Sequence, residues 1–440
     1  MTGKRKLSLC DRIRCERVNQ RFRRLLLWIW IRDIKSISLC EIVESDLYDV
    51  RDSGRIVSAL LWRCGPSLLS LDLSNDHFYA SVFIELKPRC IRDIGRYCGN
   101  NLLHLNLSYT QLSQAHLNAL SVGNFKNLKL LRLRNCLDET EENNALENSL
   151  GDVLASLPCL DQLDLAQNDD LKGSCLYCVT PALKRINLDR CRQLKSDCLE
   201  GFANQCKQLI HLDFVRAGLP DLNLSRCLLV WTNSLQYLNL NGIDVSPEYF
   251  AAVVSVVGSL RELHSFDISH SSLLCDEILL SISRGCPGLH RLCIAGKFSR
   301  VTGIGLRALA ACSELVHLDI SWLEWITDED IEPVVRRGKL RCLIAHACEG
   351  LSASYLLTLI GRCRVLDWLD LSGCRQIDLD WLGHLNDQLS RETGRLPLTL
   401  ELSDCRLARQ FYSVHFNDTP ARQPSTDDVS SHKLILKVCE

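Results

Sequence analysis

The sequence lacks an excess of either charge. Its 51 Lys and Arg nearly balance 53 Asp and Glu, for a net charge of −2. No basic block is large enough to point to nucleic acid as the main partner. The densest, RIRCERVNQRFRR at 12–24, has a helical reading given below. A membrane-length apolar run is also lacking. LLLWIWI, Leu25 to Ile31, is seven residues long between arginines, whereas a span needs about 20. The start, MTGKRKLSLCDRIRC, has no apolar signal core. Catalytic signatures are missing too: there is no G-x-S-x-G, H-E-x-x-H, P-loop or G-x-G-x-x-G. GIG at 303–305 reads as a turn, and the histidines are scattered singly. A binding protein is expected, with no enzyme activity, cofactor or metal, and with neither membrane nor nucleic acid as partner.

What is present is a folded chain rich in thiols. Hydrophobic residues make up 46%, which excludes global disorder. Twenty-four cysteines in a secreted protein would mean disulfides. Without a secretion signal they are expected to be reduced, in a cytoplasmic or nuclear setting. Cys175-x-x-Cys178 is a lone pair without a second pair at zinc spacing. The thiols therefore need a packing explanation.

That explanation comes from a repeat. The pattern L-x-x-L-x-L-x-x-(N/C/T), with aliphatic substitutions, starts at Ile34, Leu68, Leu102, Leu128, Leu160, Leu183, Leu209, Leu235, Leu263, Leu289, Leu315, Leu340, Leu366 and Pro397. Six of the thirteen gaps are 26 residues, so the spacing is not chance. This is the leucine-rich-repeat period. Each unit is a strand, a turn and a helix; none buries its apolar face alone, and stacking supplies the core. The expected fold is an α/β leucine-rich-repeat solenoid, a horseshoe of parallel inner strands and outer helices. Residues 1–33 would form a short helical cap, 34–410 about fourteen repeats, and 411–440 a tail. Thr302, Thr327 (with Asp330) and Ser246 (before Pro247) read as helix N-caps. GSCLYCV should hold only a short helical turn.

Cysteines fall in two rows. Cys136, Cys191, Cys348, Cys374 and Cys405 occupy the ninth position; Cys206, Cys286, Cys312 and Cys363 lie three residues before a repeat. Both rows should be buried, free Cys acting as a small hydrophobe. These rows, VTGIGLRALAACSELVHLDIS at 301–321 and LDWLDLSGC at 366–374, resemble the cysteine-containing repeat subtype of F-box/leucine-rich-repeat proteins. Those are substrate receptors of Skp–cullin–F-box ubiquitin ligases. LSLCDRIRCERVNQRFRRLLL at 7–27 resembles the second half of an F-box, matching at Asp11, Arg12, Val18, Phe22, Leu25 and Leu26. The resemblance implies an Skp-type adaptor and a cullin as partners, with these residues and Arg21 as the adaptor contact. Val18, Phe22, Leu25 and Leu26 fit one apolar helical stripe with arginines on its other faces. The first half of the motif, with its Leu-Pro start, is absent. Either the chain is a fragment or the remaining helix only caps the array.

Alternation in the strands puts positions 3, 5 and 7 on the inner surface, where a protein substrate would bind. Position 5 is mostly acidic, including Asp164, Asp213, Asp267, Asp319 and Asp370. Position 3 carries His104, Arg185, Tyr237, Arg291, His317 and Trp368. Arg132 and Arg134 add a basic spot, and Trp322 an aromatic anchor. Against this stands cross-strand pairing of the same side chains as mere structure. The long repeats at 136–151 and 386–397 read as surface insertions. Residues 417–432 read as a linker, before an alternating KLILKVC that could close the array.

Overall fold

The computed structural model describes residues 9–39, 53–75, 86–137, 145–217, 224–297, 300–392, 395, 397–403 and 434–437. It divides into two compact units, Met1–Leu222 and Asn223–Glu440.

The first unit begins with helices α1 (Leu9–Cys15) and α2 (Gln20–Asp33). Strands β1 (Ser36–Ser38), β2 (Ser70–Asp72), β3 (His104–Asn106), β4 (Leu130–Arg132), β5 (Gln162–Asp164), β6 (Arg185–Asn187) and β7 (His211–Asp213) follow. Between them run α3 (Ser53–Cys64), α4 (Pro88–Cys98), α5 (Gln114–Ser121), α6 (Ala145–Ala155) and α7 (Ser196–Gln205). The short repeat from Leu160 has only a 3-10 turn, Ser174–Cys178, as its length requires.

The second unit carries β8 (Tyr237–Asn239), β9 (Ser265–Asp267), β10 (Arg291–Cys293), β11 (His317–Asp319), β12 (Cys342–Ile344), β13 (Trp368–Asp370), β14 (Leu398–Glu401) and β15 (Leu434–Lys437). Its helices are α8 (Leu224–Val230), α9 (Pro247–Val257), α10 (Asp276–Gly285), α11 (Gly303–Ala308), α12 (Asp328–Val335), α13 (Ala353–Arg362) and α14 (Leu379–Arg391). Within each unit, sequential strands pair in parallel with positions 3, 4 and 5 in register, as Arg185–His211 and His317–Cys342 show. β15 pairs with β14, Thr399 opposite Ile435. Residues 404–433 of the tail lie outside the described residues, as do 138–144 of the first long repeat.

Burial follows the repeat. Leu105, Leu163, Leu212, Leu318 and Leu369 at position 4, and the leucines at positions 1 and 6, are at most 7% exposed. The thiols fill the space between repeats. Cys191 Sγ donates to Leu165 O (3.2 Å), Cys348 to Ile320 O (3.2 Å) and Cys374 to Ala345 O (3.3 Å), each reaching back one repeat. Asn168 does the same job at position 9, donating to Leu133 O and Leu165 O. Cys286 and Cys363 at helix ends donate to Val257 O and Val335 O. Burial pushes the Cys191 and Cys286 thiols up to about 12, so they stay protonated donors. Cys175 is buried and Cys178 exposed. Cys405 lies outside the described residues.

Caps fall at the expected threonines. Thr327 and Asp330 form a reciprocal capping box (3.1 and 2.8 Å between them), and Thr302 accepts from the Ile304 amide. Ser246 stands at the N-cap of α9 without making the capping bond.

The N-terminal stripe needs correction. The helix stops at Cys15 and restarts at Gln20, because the Asn19 side chain accepts from Phe22 N (2.8 Å) as an N-cap. Val18 is therefore outside any helix, and the four residues do not share a face. Leu26 and Trp30 are buried, whereas Val18, Phe22 and Leu25 are exposed. α1 is braced by a bidentate Arg63–Glu16 pair from α3 (2.9 and 3.0 Å), with Glu16 buried.

Candidate functional site

Three surfaces carry chemistry: the open face of the strands in each unit, and the outer face of α2.

On the strands, position 5 turns out to be a turn-builder. In eight repeats the position-7 amide donates to the position-5 Oδ1 at 2.8–3.1 Å, the acceptors being Asp72, Asn106, Asp164, Asn187, Asn239, Asp267, Asp319 and Asp370. This is an Asx turn. It needs an acceptor, not a charge, which explains why Asn and Asp interchange. Position 7 is drawn inward by that bond. Ser108, Ser269, Ser321 and Ser372 are buried there, so position 7 is not the open surface that alternation implied. Ser321 Oγ donates to Asp319 Oδ1 (2.6 Å), and Ser269 Oγ accepts from the Ala295 amide of the next repeat.

In most of these repeats position 8 then takes the left-handed region, as it also does after Arg132 and Ile344, where no such turn forms. Tyr109, Asn135, Gln167, Arg190 and Arg216 in the first unit, and His270, Trp322 and Ala347 in the second, have φ between 47° and 67°. Gly242 and Gly373 hold the same position with φ 66° and 73°. A side chain there costs about 1–2 kcal/mol. An inter-repeat bond offsets it: the position-8 amide donates to the next repeat's position-7 carbonyl, as Trp322 N does to His346 O (2.8 Å). The result is a row of side chains along one edge of each sheet. The sequence pattern did not reveal this row, since most of its residues are not glycine.

In the first unit the face is polar and partly buried. Arg134 Nη2 pairs with Asp164 Oδ2 (3.1 Å), and Tyr109 Oη donates to Gln167 Oε1 (3.2 Å). Burial pushes the Asp213 carboxyl up to about 6, with Asp189 adding repulsion. Asp189 is raised by burial against the pull of Arg190, Arg134 and Arg216. Burial, then Arg185, lowers His211 to about 4, so its imidazole is neutral near pH 7. His104, Arg132 and Arg185 are exposed.

In the second unit the face is more apolar. Trp322 lies against His346 (ring centroids 4.6 Å, tilted), with Lys297 Nζ 5.9 Å from the Trp322 ring. Tyr237, Asp267, Trp368 and Asp370 are half-buried, and Arg291 is exposed. His317 is lowered to about 4 by burial and by Arg291. Asp319 is raised by burial, held back by the Ser321 hydroxyl and amide. His317 and Asp319 are consecutive outward positions of one strand, not a catalytic couple.

α2 has a second apolar face. Leu26 and Trp30 fix it to the fold, while Phe22, Leu25, Trp28 and Ile31 stay 39–56% exposed. Trp62 on α3 is also exposed, with Arg23 and Arg63 near its ring. Asn19, Gln20, Arg21, Phe22 and Leu25 line an open hollow of about 480 Å³. Arg12 lies over the Trp30 ring (5.9 Å), and the Asp11 side chain is outside what is described.

Among the described residues no group of three or more His, Cys, Asp or Glu could hold a metal ion, and no helix is long and apolar enough to cross a membrane. The repeating strand, Asx turn and helix on a leucine pattern decide the fold. This is a leucine-rich-repeat protein. No protein-family model matches the chain. EEED8.10 of Caenorhabditis elegans, named provisionally as an RNA-binding protein, is 25% identical over 384 residues, covering 85% of this repeat protein and 48% of its own length. F-box/LRR-repeat protein 4 of Bos taurus is 26% identical over 342 residues, 67% of this chain and 53% of its own. The chain thus spans about half the length of these curated relatives. Among solved structures, a Listeria monocytogenes internalin has a TM-score of 0.45 at 21% identity, covering 76% of this chain and 83% of its own. The yeast Rad7–Elc1 complex gives 0.46 at 15% identity, covering 84% and 92%.

Proposed function

We propose that this protein is the substrate-recognition subunit of a Skp–cullin–F-box ubiquitin ligase. The outer face of α2 meets the adaptor, and the open strand faces hold a protein substrate. The carrying observation is the double-sided α2: Leu26 and Trp30 already anchor it, so Phe22, Leu25, Trp28 and Ile31 are surplus to its own packing. Large exposed apolar clusters of this kind mark interaction sites. The F-box/LRR relative supports the same class. The subunit does no chemistry itself. It raises the local concentration of substrate lysines near the charged conjugating enzyme, in the cytoplasm or nucleus.

The test is co-purification of the full chain with a Skp-type adaptor. Phe22→Asp with Leu25→Asp should abolish it while thermal unfolding stays unchanged. A wild-type chain that never retains the adaptor would sink the ligase reading and leave a repeat scaffold without ligase coupling.

A second reading, RNA binding, has its own observations. The C. elegans relative carries that provisional name. Arg17, Arg21, Arg23 and Arg24 are exposed beside Phe22 and Trp28, a mix that suits single-stranded RNA. A salt-dependent mobility shift lost on Arg21→Ala with Arg24→Ala would favour it over the adaptor.

A further inference from the structure

Across β4–β7 the fold leaves guanidiniums without a hydrogen-bond or ion-pair partner among the described residues. Arg132 holds position 5 of β4, Arg185 position 3 of β6, and Arg216 the left-handed position after β7. All three are exposed, and none makes a hydrogen bond or ion pair among the described residues. Their neighbours are already used: Arg134 is tied to Asp164 (3.1 Å), and Arg190 lies 3.8 Å from Asp189. Interleaved with the free cations are half-buried carboxyls short of donors. Oδ1 of Asp189 and Oδ1 of Asp213 are both out of solvent contact and accept no hydrogen bond. The strip therefore offers cationic donors and carboxyl acceptors side by side.

Paired strands stand about 4.8 Å apart, so β4 and β7, three steps apart, are about 14 Å from each other across the sheet, with Arg216 three positions further along its repeat than Arg132. An extended peptide running that way advances about 3.3 Å per residue, so side chains four residues apart lie on one side about 13 Å apart. We propose that this strip docks an extended, unmodified acidic segment of a protein substrate. Carboxylates four residues apart meet Arg132 and Arg216, Arg185 on β6 lies between them as a third cation, and peptide amides donate to the outward edges of the half-buried Asp189 and Asp213 carboxyls. This rests on the substrate-receptor reading above and names its substrate class. Phosphates fit less well, because each dianion would sit against Asp164, Asp189 or Asp213, whereas a single-charge carboxylate matches one guanidinium. For a nucleic acid, no exposed aromatic among the described residues accompanies the three arginines for base stacking.

The probe is a fluorescent peptide of about twelve residues in a Ser/Ala/Gly background with Glu at every fourth position. Anisotropy with the full chain should show binding, weakened at least about tenfold by Gln in place of Glu. Arg132→Glu with Arg216→Glu should lose the Glu peptide by a similar factor and gain its Lys counterpart, a gain that only a folded variant can give. Should the reversed pair unfold, Arg132→Gln with Arg216→Gln gives the loss alone. Equal binding of the Gln peptide, or no binding of the Glu peptide, overturns the proposal. So does a phosphoserine peptide or oligouridine that binds more tightly than the Glu peptide and loses to the same variants. Adaptor co-purification depends on α2 and should be untouched by these changes. Its failure alone therefore removes the ligase reading, and failure of the peptide alone removes only this site.

Discussion

In Met1–Leu222 the left-handed position after β3 to β7 carries Tyr109, Asn135, Gln167, Arg190 and Arg216; in Asn223–Glu440 that after β8, β9, β11, β12 and β13 carries Gly242, His270, Trp322, Ala347 and Gly373. The backbone device is the same in both units, an Asx turn followed by a strained residue held by the next repeat. Its side chains differ in kind. The first unit displays guanidiniums and amides over half-buried carboxyls. The second displays a tryptophan, a histidine and small residues over Asp267, Asp319 and Asp370. A repeat fold can thus vary recognition while its turn stays fixed, because the turn uses only the position-5 acceptor and backbone groups.

The comparison can be broken most strongly in the core. Leu318→Ala and Leu212→Ala remove equivalent, fully buried side chains from β11 and β7. Each should cost about 2–5 kcal/mol by urea unfolding. Similar costs are expected, and a marked inequality would show that one unit packs more loosely. Next comes Asp213. Its carboxyl is raised from 3.8 to about 6 in the fold, so folding favours the protonated form. Ionisation then opposes folding as pH rises past about 4, fully above about 6. Asp213→Asn keeps the acceptor and should stabilise by on the order of 1–3 kcal/mol at pH 7.5. The gain should vanish below pH 4, as thermal melts across that range would record.

Asp319 separates charge from turn-building in the second unit. Asp319→Ala removes the acceptor of the Ser321 amide and hydroxyl and should cost about 1–2 kcal/mol. Asp319→Asn should cost much less. Equal losses would mean that the carboxylate charge matters there after all. The smallest expected effect is at Gly373, where φ is 73°. Gly373→Ala should cost about 1 kcal/mol by thermal melt, no more than its neighbour Ala347 tolerates natively at φ 55°.

Fourteen strands were legible because inward aliphatics at 1, 4 and 6 have no other use at that spacing. The thiol rows were legible because they recur at fixed offsets. The acid row was misleading. An Asp in a strand reads as a cross-strand or partner contact, whereas in the fold Asp319 and Asp370 serve the amides two residues on. The left-handed row was hidden because Tyr109, Arg190 and Trp322 stand where glycine would have announced the conformation; Gly242 and Gly373 were the only clue. The break at 16–19 had a signal, Asn19 ahead of Gln20 as a cap, overridden by the apolar spacing of Val18 with Phe22. Pairing of Arg134 with Asp164, and the isolation of Arg132, depend on strand register, which no single repeat contains.

The Arg63–Glu16 brace has a consequence for whatever meets α2. Two parallel N–H···O bonds to a buried carboxylate fix the α1 segment in both distance and tilt, while Leu26 and Trp30 hold α2 by packing. Phe22, Leu25 and Trp28 are therefore presented on a stiff platform. The entropy of ordering that platform is lost when the chain folds, not when a partner arrives, so association is preorganised. Binding there should proceed with little rearrangement of the helices, and variation in partner affinity should lie mainly in how fast the complex comes apart.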